Sequence, residues 1–207
     1  MDNPRPTIRP YRPADREAVY EICVRTAEAG GDATGLYKNE QVLPDNFAGP
    51  YLELEPGLAY VLDDGRGTAV GYVLGTSDTT RFAAELRERW LPRVGHLYPP
   101  PVGDPADGDE LMAMLLHTPE RMILPELADY PAHLHIDLLP PFQGLGFGRR
   151  LIECLLDALR EAGAGQVHLG MVSANTGARA FYDRTGFHVI PVADPGPLTY
   201  LGRSTAR

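Results

Sequence analysis

No stretch of about 18 or more consecutive apolar residues occurs in the chain, so no segment has the length and hydropathy of a membrane-spanning helix. Cysteine is scarce: Cys23 and Cys154 stand apart, with no CxxC pair, and no secretory leader pattern opens the sequence. That pattern excludes a disulfide-stapled scaffold and points to a soluble protein of a reducing compartment, the cytoplasm. Lysine is nearly missing: Lys38 is the one representative among 19 basic residues, set against 28 acidic ones. The net charge of -9 speaks against general binding to nucleic acid or anionic membrane and favours the approach of a cationic molecule such as an amine. Internal repeats and low-complexity tracts are absent too.

What remains is an ordinary globular composition, 43% hydrophobic and 23% charged over 207 residues, enough for one α/β domain with a sizeable core. Residues 7–10 read as a short strand, followed by a helix capped by Asp15, with apolar positions Ala18, Val19, Ile22, Cys23 and Thr26, stopped by Gly30 and Gly31. A Pro/Gly-bearing stretch to Gly57 precedes a hairpin built from residues 58–62 and 69–74. Between Thr76 and Tyr130 the period turns helical, with Phe82, Leu86 and Trp90 and then Leu111, Met112, Leu115 and Leu116, so this segment reads as a helical lid or insert. Strands return at Ala132 to Leu139, Val167 to Val172, Phe187 to Pro191 and Leu198 to Leu201, interleaved with helices over 149–162 and 176–185. Cys23 and Cys154 read as buried small hydrophobes, with a nucleophilic Cys154 as the sharper alternative.

The most informative feature is the turn Gln143, Gly144, Leu145, Gly146, Phe147, Gly148, set between an apolar strand and an amphipathic helix. Glycines at every second position let backbone N–H groups approach a ligand, and the free amides of the following helix aim at it; such a nest holds phosphate. Two familiar phosphate loops do not fit. Gly148 is followed by Arg149 and Arg150, leaving no lysine and no hydroxyl for a Walker A loop. The GxGxG spacing, with no acidic strand end about 20 residues on, also departs from the dinucleotide fingerprint. The bland alternative is a tight strand-to-helix turn.

Gln143, Gly144, Gly146 and Gly148 match the Gln/Arg-x-x-Gly-x-Gly/Ala loop of the GNAT acetyltransferases, and the sequence resembles that superfamily again at Asn175, Ala178, Phe181, Tyr182, Gly186 and Phe187, its NxxAxxFYxxxGF signature. Segments 61–64, 71–75, 82–92, 135–140 and 200–204 further resemble the acetyltransferase-like domain at the C-terminal end of animal O-GlcNAc hydrolases. That domain lacks an intact glycine loop, whereas this chain keeps one. The resemblance implies a GNAT fold over residues 1–207, with a tail over residues 1–6, a mixed and mostly antiparallel sheet split at a V, helices on both faces, and the 76–130 insert on the acceptor side. It also implies acetyl-CoA as co-substrate.

With acetyl-CoA in view, the amides of Leu145, Gly146, Phe147 and Gly148 would bind the pyrophosphate, with Arg149 or Arg150 adding charge-assisted contacts. Pro140 and Pro141 cannot extend a ladder, so pairing should fail after Leu139 and leave backbone groups of Leu138 and Leu139 for the pantetheine arm. Amides near Leu138 would serve as an oxyanion site. The resemblance makes Tyr182 the general acid for the departing thiolate, with packing as its bland alternative, and sets Asn175 against the pantetheine arm or a water. On a strand, His133, His135 and Asp137 share one face. Asp137 is the candidate base, the alternative being a buried carboxylate satisfied by a hydroxyl, arginine or backbone N–H; His135 is an auxiliary candidate. The same HxHxD run resembles the metal-binding start of a metallohydrolase, but Leu138 stands where a further histidine is needed. Trp90, Tyr98, His117 and Tyr130 could line a pocket or pack. The expected activity is direct acetyl transfer from acetyl-CoA to an amine of unknown identity; the rival is a non-catalytic module that binds acyl-CoA or a protein.

Overall fold

Strands form one sheet in the computed structural model, which describes residues 5–206. They are β1 (Thr7–Pro10), β2 (Ala59–Asp63), β3 (Ala69–Thr76), β4 (Ala132–Leu138), β5 (Gln166–Val172), β6 (His188–Val189) and β7 (Leu198–Ser204), in the order β1-β2-β3-β4-β5-β7-β6. Each neighbouring pair is antiparallel except β4 and β5. The first four residues of the expected tail lie outside the described residues.

The parallel pair is where the sheet divides. β4 and β5 pair through Ala132 with Val167 and His133 with His168, although both strands run on. On its other side β4 stays paired with β3 to Leu138, and β5 stays paired with β7 from Gln166 to Val172. The split expected after Leu139 therefore begins at His133, well ahead of Pro140 and Pro141. The prolines do not cause it. Each strand follows its long antiparallel partner, and sheet twist separates two strands joined only by a short, weaker parallel contact.

Helices α1 (Arg16–Val24), α2 (Val42–Phe47), α3 (Gly49–Leu54), α4 (Thr79–Glu85), α5 (Leu91–Val94) and α6 (Gly108–His117) cover one face of the sheet. On the other lie α7 (Phe147–Glu161) and α8 (Thr176–Arg184). α7 buries Leu151, Ile152, Leu155, Leu156 and Leu159, one stripe at helical spacing, each contributing roughly 1.5–3 kcal/mol by removal from water. The segment after β3 is no free-standing lid: Phe82, Leu86, Trp90 and Leu116 join one core with Val19, Ile22 and Tyr72. Trp90 Nε1 donates to the Asp45 carbonyl at 2.8 Å and the Tyr98 hydroxyl to Asp45 Oδ2 at 2.8 Å, so both aromatics tie this segment to α2.

Local departures from the sequence reading have local causes. α1 ends at Val24, not near Gly30, as the Thr26 hydroxyl bonds back to the Ile22 carbonyl at 2.8 Å and Ala29 turns to φ +50°. Asp15 does not cap α1 with its side chain. Its carboxylate takes Arg9 at 2.6 and 2.7 Å and the Arg12 amide at 2.8 Å, while Arg9 also reaches Asp63 at 2.9 Å. The Pro/Gly-bearing stretch, given no element by periodicity, holds α2 and α3, whose prolines Pro44 and Pro50 sit in first turns, where a missing N–H costs nothing. α7 starts at Phe147, two residues ahead of Arg149. Cys23 is buried as expected, whereas Cys154 is half-buried.

Candidate active site

Two of the three glycines in the turn before α7 are there for backbone conformation. Gly144 has φ +70° and Gly146 φ +84°, the left-handed region, and a Cβ at either would meet nothing within 4 Å. Gly148 differs: a Cβ there would come within 3.1 Å of the Phe181 ring, so it lets α7 close on α8. None of the six amide N–H groups from Gly144 to Arg149 has an acceptor among the described residues. Together with the positive end of a 15-residue helix they form an exposed donor array. Leu145 projects from it, 64% exposed.

The unpaired edge of β4 faces the same gap. Leu139 donates its N–H to the Val70 carbonyl at 3.0 Å and its carbonyl accepts from Phe142 at 2.9 Å, so neither Leu139 group is free. Strand alternation then turns the backbone of Leu138 and Ile136 to the open side, beyond the residues that pair with β5. The Leu138 carbonyl accepts from Gln143 Nε2 at 2.8 Å, and the Leu138 N–H is left facing the gap. Gln143 thus braces the strand end against the glycine turn. Arg149 is also engaged, donating to the Arg184 carbonyl at the end of α8 at 3.0 Å, while Arg150 stacks over Phe147, 5.8 Å from its ring centre.

The second signature sets Tyr182 on α8, near enough to Asp137 to feel its charge. Asn175 caps α8, accepting from the Ala178 amide at 2.9 Å, and its Nδ2 donates to the Ala29 carbonyl at 2.7 Å. Both ends of Asn175 are spent on holding α8 to the loop after α1. Tyr182 is buried, its ring packed against Phe181 and Phe187, and its hydroxyl makes no hydrogen bond among the described residues. Since among the described residues no buried side-chain polar atom lacks a partner, that hydroxyl sits at an accessible point. Burial, and secondarily the charge of Asp137, raise its pKa, so it stays protonated at neutral pH.

On the other face of β4 the three polar side chains stand together, and their partners come from distant parts of the chain. Asp137 Oδ2 accepts from the Tyr72 hydroxyl at 2.6 Å, with the Thr26 hydroxyl alongside, and it belongs to no ion pair among the described residues. Burial pushes its pKa up to about 6, the Tyr72 and Thr26 hydroxyls opposing the rise. His133 and His135 share the Tyr51 hydroxyl, at 2.6 and 3.1 Å from their Nε2 atoms. The direction of this chain is fixed: Thr79 Oγ1 donates to the Pro131 carbonyl at 2.8 Å, so His133 Nδ1 must donate to Thr79 at 2.8 Å. Tyr51 then donates to His133 Nε2 and accepts from His135 Nε2. His135 is left with a lone pair on Nδ1, and burial lowers its pKa to about 4, keeping it neutral.

This arrangement leaves no donor set for a metallohydrolase: both Nε2 atoms are turned to Tyr51, and among the described residues no group of three His, Cys, Asp or Glu could hold a metal ion. His117 donates to the Tyr98 carbonyl at 2.9 Å, and Tyr130 packs onto Gly202 and reaches His188 at 2.9 Å. Trp90, Tyr98, His117 and Tyr130 are thus packing residues. Tyr72 and Tyr51, which hold Asp137 and the histidines, carry no motif in the sequence; the one local signal is a tyrosine at position 72 amid an apolar strand.

A family model described as Acetyltransferase (GNAT) family matches residues 17–187, spanning both signature loops. The chain belongs to the GNAT acetyltransferase family. Over 204 residues it is 30% identical to protein O-GlcNAcase of Rattus norvegicus and likewise of Mus musculus, matching 96% of this chain and 22% of theirs. The chain therefore spans under a quarter of the length of those curated relatives. The crystal structure of SsHAT is 63% identical with a TM-score of 0.95, over 99% of this chain and 100% of that one. The fold is shared with yncA from Salmonella typhimurium, solved with its cofactor acetyl-CoA, at 18% identity and a TM-score of 0.55 over 98% of this chain and 95% of that one. Among the described residues no helix is long and apolar enough to cross a membrane.

Proposed function

We propose that this GNAT protein transfers an acetyl group directly from acetyl-CoA to an amine, with no covalent enzyme intermediate. The observation that carries the reading is the run of unpaired amides from Gly144 to Arg149 set beside the open edge of β4. The amides and the end of α7 suit a pyrophosphate, and the gap beside Leu138 and Ile136 suits an extended arm that bears amides of its own. Acetyl-CoA has both parts. Because Arg149 is held by α8 and both Leu139 groups are used, we assign the phosphate to the backbone amides, with Arg150 the nearer free cation, and the arm to Leu138 and Ile136.

In this scheme Asp137, with its pKa near 6, takes a proton from the attacking amine as the new carbon–nitrogen bond forms. The Leu138 N–H faces the charge that builds on the thioester oxygen. As the carbon–sulfur bond breaks, Tyr182 passes its hydroxyl proton to the leaving sulfur. Bulk water restores Tyr182 and takes the proton from Asp137. Asn175 is a positioning residue, holding α8 and so Tyr182 in place. The segment over 76–130 forms the acceptor side, and we assign the reaction to the cytoplasm, where Cys23 and Cys154 remain thiols.

The test has two stages. Acetyl-CoA should raise the melting temperature, and an amine panel should release free CoA. Tyr182→Phe should keep the thermal shift and slow release by about a hundredfold. No shift would sink the cofactor assignment; a shift without release from any amine would leave a binding module; and full rate in Tyr182→Phe would remove the acid role.

A further inference from the structure

We infer that the acceptor carries an anion, a carboxylate or a phosphate, several bonds from its amine, and that Arg121 holds that anion; this rests on the acetyl-transfer reading above. Arg121 lies in the single turn Pro119–Met122 that follows α6. Its guanidinium is half-buried, and Nε donates to the Leu115 carbonyl at 3.1 Å. The other guanidinium N–H groups have no acceptor among the described residues, and Arg121 enters none of the ion pairs. Among the described residues, the titratable groups in electrostatic reach are Tyr51, Tyr200, His133 and His135, none of them a carboxylate. Both histidines are held neutral, so among these groups Arg121 carries the single positive charge.

A cation withdrawn from water without a counter-ion is costly, the more so in a chain of net charge -9 with carboxylates to spare. Its neighbour Glu120 pairs instead with Arg87. A free guanidinium fork matches the paired oxygens of a carboxylate or phosphate, and the Tyr200 hydroxyl, without a hydrogen bond among the described residues, adds a donor. Arg121 is also in reach of the side-chain face of β4 that carries Asp137. Tyr51 stands between His133 and His135, and Asp137 follows two residues on, about 7 Å further along the strand. An anion at Arg121 therefore leaves an amine at Asp137 when several bonds separate the two.

Matched acceptors test this: 4-aminobutyrate against 4-aminobutanamide for the carboxylate, and glucosamine 6-phosphate against glucosamine for the phosphate. With saturating acetyl-CoA, the anionic member of at least one pair should exceed its neutral partner in kcat/KM by about tenfold or more. Arg121→Gln should bring that ratio close to one. Arg121→Lys, which keeps the charge but loses the fork and guards against misfolding of the first variant, should give an intermediate ratio. A ratio near one for both pairs in the parent protein, or a ratio that survives in Arg121→Gln, overturns the assignment. If no amine releases CoA, acetyl transfer itself fails, and calorimetric titration of 4-aminobutyrate and glucosamine 6-phosphate then decides the anion site. Binding lost in Arg121→Gln supports it; absent binding, or equal binding in the variant, overturns it.

Discussion

Toward the gap, β4 presents backbone: the N–H of Leu138 and, across from it, the unpaired amides of the turn before α7. Toward α1 and α3 it presents side chains, His133, His135 and Asp137, each fixed by a hydroxyl from elsewhere in the chain. The first side tolerates many side chains and is strict about glycine and phase. The second depends on a few individual atoms. In the proposed scheme the first side holds a ligand by its peptide-like and phosphate groups and supplies the Leu138 N–H to the thioester oxygen, whereas the base and the choice of acceptor fall to the second.

The sharpest way to break this division is Gly146→Glu. It keeps open space around the new Cβ and costs on the order of 1–2 kcal/mol for the positive φ, yet sets a carboxylate in the donor array. We expect a folded protein whose thermal shift with acetyl-CoA is lost; a retained shift would move the phosphate elsewhere. Asp137→Asn acts on the other side, leaving the shift intact while lowering the rate by about a hundredfold. In the parent protein the rate should fall below about pH 6 as Asp137 takes up its proton, and that limb should vanish in the variant. Stability runs the other way. A carboxyl whose folded pKa is raised above 3.8 helps folding below that pH and loses its contribution as pH rises through about 6, so the variant should melt no lower than the parent at pH 7. The smallest effect is that of Tyr51→Phe. Removing the hydroxyl strands His133 Nε2 and the His135 N–H, costing roughly 1–3 kcal/mol in denaturant unfolding with acetyl-CoA affinity unchanged. A loss of affinity there would show that the two sides of β4 are coupled.

The same contrast explains what could be read from the residues alone. The glycine turn, the start of α8 and most strands are written in local spacing, and they stand where expected. The partners of Asp137 and His135 lie 65 and 84 positions away in the chain, and no periodicity reports a contact of that span. Asn175 and Arg149 were identified by spacing, but their hydrogen bonds go to Ala29 and Arg184, which spacing could not reveal. The opening of the sheet was foreseen for the wrong cause: two conspicuous prolines drew attention from the shortness of a parallel contact that becomes visible only once strand order is known. Pro44 and Pro50 lie in a stretch whose Pro and Gly content hides any period, yet both stand in the first turns of helices.

The two-pair contact between β4 and β5 has one more consequence, for self-association. A strand with unpaired peptide groups at the rim of a sheet is a template on which other chains can polymerise. Here the open stretch of β4 is interior to the sheet order, and β5 and β7 continue beyond the gap. A second copy's sheet edge would have to pass those strands to dock, whereas a thin linear molecule can slide in along the strand direction. The fold thus keeps hungry backbone groups exposed to small solutes while denying them to its own kind.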